Sequence, residues 1–279
     1  MKSSKAKNIL HYVVLVIVCF ISLFPLLYAF SASLRSDVEL YKYALPFSIK
    51  TIIPVEPTLD NYKWIFTEFG FGKSIVNTLI IVFILVPLGL LVNSVAAFAF
   101  TAFDFKGKNI LFAVFVVSFM VPFEAIAIPL YSLVNKIGWV DKRVAMILPS
   151  VANGLVLFLF RQFFSEIPKS YFEAATMDGA NWLQIYFRII IPLSAPVMIT
   201  AALMLFVSFW NSYLWPLLVA RSKDIRTVQI TLATLKMEEA TLWGCLYAGS
   251  IVSALIPLTL FLPFQKYFVD GITSSGVKE

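Results

Sequence analysis

The sequence contains six long apolar runs, separated by shorter polar segments. The first covers Ile9 to Phe30 and follows a tip bearing Lys2, Lys5 and Lys7. The others are 74–100, 110–134, 144–164, 193–220 and roughly 246–268. Each reaches the ~20 residues that a helix needs to cross ~30 Å of hydrocarbon. A backbone in lipid must satisfy its own polar groups, so each run predicts a helix. The expected fold class is therefore all-α: a polytopic membrane protein with six transmembrane helices, in one domain over residues 1–279. Prolines inside the runs, including Pro87, Pro122, Pro129, Pro149, Pro196, Pro216, Pro257 and Pro263, predict kinks. The freed backbone groups then need neighbouring helices, which favours a bundle around a pathway over a simple anchor.

The polar segments refine this picture. Ser31-Ala32-Ser33 could pass as a signal-peptide cleavage site, but the preceding run exceeds the usual core of roughly 7–15 residues. It is expected to be a retained span. Pro46, Pro54 and Pro57 predict extended coil in the loop that follows, with Thr58 as N-cap of a short helix over LDNYKWIF. The lysines at the tip favour a cytoplasmic N-terminus. Six spans would then return the C-terminus to the same side. Lys and Arg are divided almost evenly between the two sets of loops, so orientation rests on the tip and on the resemblance given below.

Composition sharpens the class. The chain has 279 residues, of which 60% are hydrophobic and 14% charged, and its mean hydropathy is +0.87. Soluble domains run near 45–50% apolar and about 25% charged, which argues against one here. The net charge of +6 is spread over the loops and forms no basic tract, so nucleic acid is not an expected partner. A single histidine, His11, supports no histidine metal centre or catalytic triad. Cys19 and Cys245 fall in different environments and are not expected to pair.

The most informative segment is 165–192, SEIPKSYFEAATMDGANWLQIYFRIIIP. It is too polar to span. Pro168 should end the preceding element, and Ser170-Tyr171-Phe172-Glu173 fits a capping box. Ala174 and Ala175 favour helix, and Asp178-Gly179 should break it, with Gly179 giving either a positive φ or a close backbone approach. A second amphipathic helix is expected from Asn181 to Ile190, with Pro192 opening the fifth span. On physics alone, this helix–turn–helix at the membrane surface could simply link two spans.

Its residues also fit a pattern: Glu173-Ala174-Ala175, three residues, Gly179, nine residues, Ile189, then Ile191-Pro192. This resembles the signature loop of ABC-importer permeases, with Ile191 where leucine is usual. SVAAFAFTAFDFKGKN, MVPFEAIAIPLY, RQFFSEIP, FWNSYLWPL and DGITSSGVK extend the likeness over nearly the whole chain. The chain is most similar to the smaller membrane subunit of maltose-type carbohydrate importers. The resemblance implies half of a translocation pathway for a sugar, expected to be an oligosaccharide. It implies a second permease subunit, a dimer of ATP-binding subunits and an extracellular sugar-binding protein as partners. No P-loop sequence G-x-x-x-x-G-K-[ST] occurs; ATP and Mg are therefore expected in the partner subunits, with no cofactor and no enzymatic activity in this chain.

The resemblance makes 165–192 the coupling loop, with Glu173, Ala174, Ala175, Asp178 and Gly179 docking on the ATPase; Glu173 could also act as a cap. Glu124, inside the third run, either lines a pathway or gate or bonds to a kinked backbone. Asn77, Asn93, Asn153 and Asn211 either join helices or line the route. Trp210, Asn211, Tyr213 and Trp215 form either a sugar-stacking surface or an interfacial aromatic belt. Glu238, Glu239, Thr241, Leu242 and Trp243 either contact the binding protein or belong to a solvated loop. The glycerol-phosphate permeases share the motif and remain an alternative. A stand-alone secondary transporter would want midplane carboxylates or an inverted repeat, and a membrane enzyme a catalytic cluster; none is visible.

Overall fold

The computed structural model describes residues 2–236 and 241–273. The chain forms two compact units, Met1–Gly72 with Thr231–Ile256, and Lys73–Ile230 with Pro257–Glu279. Secondary structure among the described residues is helical apart from one isolated bridge, Lys236 to Thr241.

The first unit opens with α1 (Lys2–Ser33), α2 (Asp37–Lys42), α3 (Ile49–Ile52) and α4 (Asp60–Thr67). The loop after α1 is thus not all coil. Its folding follows from one side chain, Arg35, which is almost fully buried. Its Nε donates to Glu39 Oε1 at 2.8 Å, and its terminal nitrogens donate to the carbonyls of Thr51 (2.9 Å) and Lys50 (2.8 Å). Glu39 in turn accepts from the amides of Val55 and Glu56. Burial pushes the Glu39 carboxyl up, but the Val55 amide, Arg35 and the Glu56 amide outweigh it and hold the group below its ordinary 4.5. Asn61 donates to the carbonyls of Ser33 and Arg35, and the Gly244 amide donates to Asp37. A β-carbon at Gly244 would fall 2.6 Å from the Asn61 amide group, so the glycine permits this approach. Thr58 is not the N-cap of α4. Leu59 takes that place, while the Thr58 hydroxyl accepts from the Asp60 amide one residue further in.

The second unit is carried by α5 (Phe71–Ala102), followed by α6 (Lys108–Phe119) and α7 (Phe123–Lys136). The 110–134 run is not one kinked span helix: α6 and α7 meet at 92°. Pro122 explains the break. It disfavours helix at Val121 and cannot donate to the helix before it. α8 (Arg143–Val151) and α9 (Gly154–Ser165) are also separate helices. Asn93 of α5 closes that gap: its Nδ2 donates to the Val151 carbonyl (2.8 Å), and its Oδ1 accepts from the Asn153 amide (2.9 Å). Gly154 sits against the Phe119 ring, which a β-carbon would approach to 2.2 Å.

The remaining helices are α10 (Lys169–Met177), α11 (Trp182–Ile185), α12 (Ile191–Leu193), α13 (Ala195–Trp210), α14 (Leu214–Val219), α15 (Val228–Thr234) and α16 (Trp243–Thr273). A π turn over Tyr186–Ile190 joins α11 to α12, and the continuous piece Trp182–Leu193 meets α13 at 82°. The fifth run therefore ends its main helix at Trp210 and resumes in α14. Among the described residues, four helical segments are long and apolar enough to cross a membrane: Lys7–Ser33, Phe71–Ala102, Arg143–Glu166 and Trp243–Gln265. The number is six if each bent pair counts as one span.

Two outcomes follow. Glu39→Gln leaves the Arg35 guanidinium buried without its counter-charge and should cost roughly 3–5 kcal/mol, read by denaturant unfolding in detergent. In the parent chain, the lowered carboxyl pKa contributes stability that is fully present above pH 4.5 and is lost as pH falls through the folded-state value. Separately, Gly154→Ala should destabilise by about 1–3 kcal/mol through overpacking. Phe119→Ala in the same chain should return part of that loss.

Candidate functional site

The segment between α9 and α13 folds as a helical hairpin. Its first helix begins at Lys169 with Pro168 at the N-cap, and no side chain caps it. The expected Ser170–Glu173 box is therefore absent. Proline at 168 already sets the chain direction, which leaves Ser170 inside the first turn. A reciprocal cap forms instead on the second helix: Asn181 Oδ1 accepts from the Gln184 amide (2.9 Å), and Gln184 Oε1 accepts from the Asn181 amide (2.8 Å). The sequence carries its signal, Asn-x-x-Gln.

The turn between the helices is set by Gly179. Its φ is +79°, and a β-carbon there would meet nothing within 4 Å. Of the two roles expected for this glycine, the positive φ is the one it fills. The Gly179 amide donates to the Thr176 carbonyl and the Ala180 amide to the Ala175 carbonyl, both near 3 Å. This is the Schellman pattern that ends a helix on a left-handed residue.

One side of the hairpin is held by aromatic rings. Phe98 of α5 stacks on Phe172 (6.3 Å, 20°) and lies 5.3 Å from Tyr186. Trp182 packs 4.6 Å from Phe103. The Tyr186 hydroxyl and Ser94 Oγ are hydrogen-bonded at 2.7 Å. These anchors did not emerge from the sequence, although the aromatic repeat at Phe98, Phe100, Phe103 and Phe105 marked the place. Ala175 is buried against the chain itself, whereas Glu173, Ala174, Asp178 and Gly179 are exposed. Met177 is 84% exposed beside them, a position that no motif in the sequence marks. A groove of about 820 Å³ runs alongside, lined among others by Tyr171, Ala174, Asp178, Arg188 and Pro192.

The other candidates scatter. Glu124 does not lie inside a continuous span helix. It sits exposed in the first turn of α7, where a carboxylate complements the helix N-terminus. Asn153 caps α9, accepting from the Val156 amide. Asn211 is exposed and ends α13. Trp210 is buried and stacks on Phe206 at 5.5 Å, and Trp215 is buried with its Nε1 donating to the Ala145 carbonyl. Asn77 joins Arg143 to the Asp224 carbonyl. Thr241 pairs with Lys236, the Leu242 amide donates to the Leu235 carbonyl, and Trp243 lies 6.2 Å from Tyr247. Glu238 and Glu239 lie outside the described residues, as does the tail beyond Thr273. Among the described residues, no three His, Cys, Asp or Glu side chains group as metal ligands.

Residues 86–273, which include the whole hairpin, match the family described as binding-protein-dependent transport system inner membrane component. The chain belongs to this family. It is a membrane protein and a permease subunit of an ABC importer. It is 37% identical to an arabinooligosaccharides transport system permease protein of Halalkalibacterium halodurans, over 94% of this chain and 93% of that one. It is 29% identical to a trehalose/maltose transport system permease protein of Thermococcus litoralis, over 100% and 99% of the two chains. Among solved structures, a bacterial ABC transporter involved in import of the acidic polysaccharide alginate aligns with TM-score 0.81 and 25% identity, covering 96% of the permease and 98% of that chain.

The clamp gives a test. Phe98→Ala removes the ring shared by Phe172 and Tyr186. Loss of a buried phenylalanine costs about 3–5 kcal/mol. Amide exchange should rise across Lys169–Met177 while α8 and α9 stay protected, as read by hydrogen-exchange mass spectrometry of the permease in nanodiscs.

Proposed function

We propose that the permease forms half of the translocation pathway of an oligosaccharide importer. The observation that carries this is the exposed helix Lys169–Met177 ending on Gly179, inside a chain whose relatives are named for sugar transport. The identity of 37% to the arabinooligosaccharide permease supports a sugar over a phosphate ester. A glycerol-3-phosphate permease of Yersinia enterocolitica is 26% identical.

In this proposal each bent pair is one span, giving six, with both termini cytoplasmic. The hairpin is the coupling helix. Glu173, Ala174, Asp178, Gly179 and Met177 face the ATP-binding subunits, which bind ATP and Mg and supply the energy. Ala175 supports the helix from behind. A second permease subunit completes the pathway, and an external binding protein delivers the sugar near Thr241, Leu242 and Trp243. Glu124, at the α6–α7 break, is the gating candidate. Trp210, Asn153 and Asn211 serve the pathway indirectly, by holding helix ends.

The chemistry of docking is simple. A short helix with small side chains enters a cleft closely, and the anchored rings behind it transmit the push. Gly179→Asp should leave the permease inserted and able to co-purify with its partners, yet lower sugar uptake strongly while ATP hydrolysis continues. The measurement is uptake and ATPase activity in the same proteoliposomes, after affinity purification and mass spectrometry of the retained subunits. Full uptake by the variant, or recovery of the chain without an ATPase after crosslinking, overturns the assignment.

A further inference from the structure

Residues 38–50 combine large exposed apolar side chains with lysines, in a place that the importer role does not use. Leu45 is 83% exposed, Phe47 73% and Ile49 71%. Val38 and Tyr41 are exposed as well. We infer that this segment is an interfacial anchor. It lies in the headgroup layer of the bilayer, with Leu45, Phe47 and Ile49 entering the acyl boundary and Lys42 and Lys50 meeting lipid phosphates.

Its depth follows from how it is tied. α2 begins at Asp37, directly after α1 ends at Ser33. The Ser31 hydroxyl, in the last turn of α1, donates to the Ile52 carbonyl. Buried Arg35 donates to the carbonyls of Lys50 and Thr51. Both ends of the segment are therefore fastened to the end of a helix that reads as a span. α1 exposes its apolar side chains along its length, Leu27 and Phe30 included, and the patch continues that surface along the chain.

The side-chain chemistry selects lipid. An apolar side chain left in water forgoes the free energy of burial, and the bilayer boundary recovers it. The Lys42 and Lys50 ammonium groups lie 5.3 and 5.5 Å from the centre of the Tyr43 ring. An aromatic body flanked by cations suits the interface, where amphipathic rings sit at headgroup level and lysines meet anionic lipid.

This inference rests on α1 being a span, and the experiment separates the two. The full chain is placed in nanodiscs of phosphatidylcholine and phosphatidylglycerol, with one environment-sensitive fluorophore per variant. Native Cys19, labelled in a Cys245→Ser background, reports on α1. Phe47→Cys and Glu56→Cys, each without the native cysteines, report on the anchor and on the water-facing side. The Phe47 label should emit to the blue, be quenched by doxyl lipids and be shielded from iodide, with the Glu56 label behaving oppositely. Lys42→Glu with Lys50→Glu should reduce the lipid quenching. A Phe47 label open to iodide beside a lipid-quenched Cys19 label overturns the anchor and leaves the span intact. A Cys19 label open to iodide overturns the span itself. Shielding of Phe47 only when the solute-binding protein is added makes the patch a protein-docking surface and overturns lipid binding. Unchanged quenching in the double lysine variant overturns the phosphate contacts.

Discussion

Every break in a helix of this chain leaves backbone groups that an apolar environment cannot satisfy, and the fold depends on how they are met. At the α8–α9 gap, one buried amide does it. Asn93 donates to the carbonyl before the gap and accepts from the amide after it, so a single side chain on α5 holds two helices in a fixed relation. Asn153 then caps the second of them. An unpaired polar group here would cost several kcal/mol. The tight contact of Gly154 with Phe119 depends on the position this pairing fixes. The same requirement, met by Arg35 and Glu39, organises the segment after α1.

The hairpin answers a different demand. In the coupling role proposed above, a helix that receives force has to be stiff behind and open in front. Phe98, Phe103, Phe172, Trp182 and Tyr186 supply the backing. Exposed Glu173, Ala174 and Met177 leave the front free. Gly179 turns the chain with a backbone angle that other residues adopt only under strain.

Much of this was legible in the sequence, because long apolar runs leave the backbone one choice. The helices over 9–30, 74–100 and 246–268 follow from length and hydropathy alone. The breaks were harder to foresee. Pro122 ends a helix, while Pro87 and Pro129 lie inside continuous ones, and the difference comes from neighbours that a one-dimensional pattern does not display. The hairpin turn was readable from Asp178-Gly179, since only backbone conformation was at stake. The Ser170–Glu173 cap does not form because Pro168 competes for the same helix start. By composition Trp210 and Trp215 fit either a sugar-stacking surface or an interfacial belt, and their burial depends on helices far away in sequence. The Arg35–Glu39 pair carried no motif and was invisible until folding brought distant carbonyls around it.

α5 has one more property. From Ser94 to Phe98 it carries the hairpin; from Lys73 to Thr78 it holds the strap after α14, through Lys73 with Asp224, Asn77 with the Asp224 carbonyl and Thr78 with the Val228 amide. At 1.5 Å per residue, these two grips lie about 24 Å apart along one unbroken rod. A helix resists shortening, so a pull on one grip arrives at the other. In engineering terms α5 is a connecting rod: what tilts the hairpin also drags the strap, and a load on the strap is felt by the hairpin.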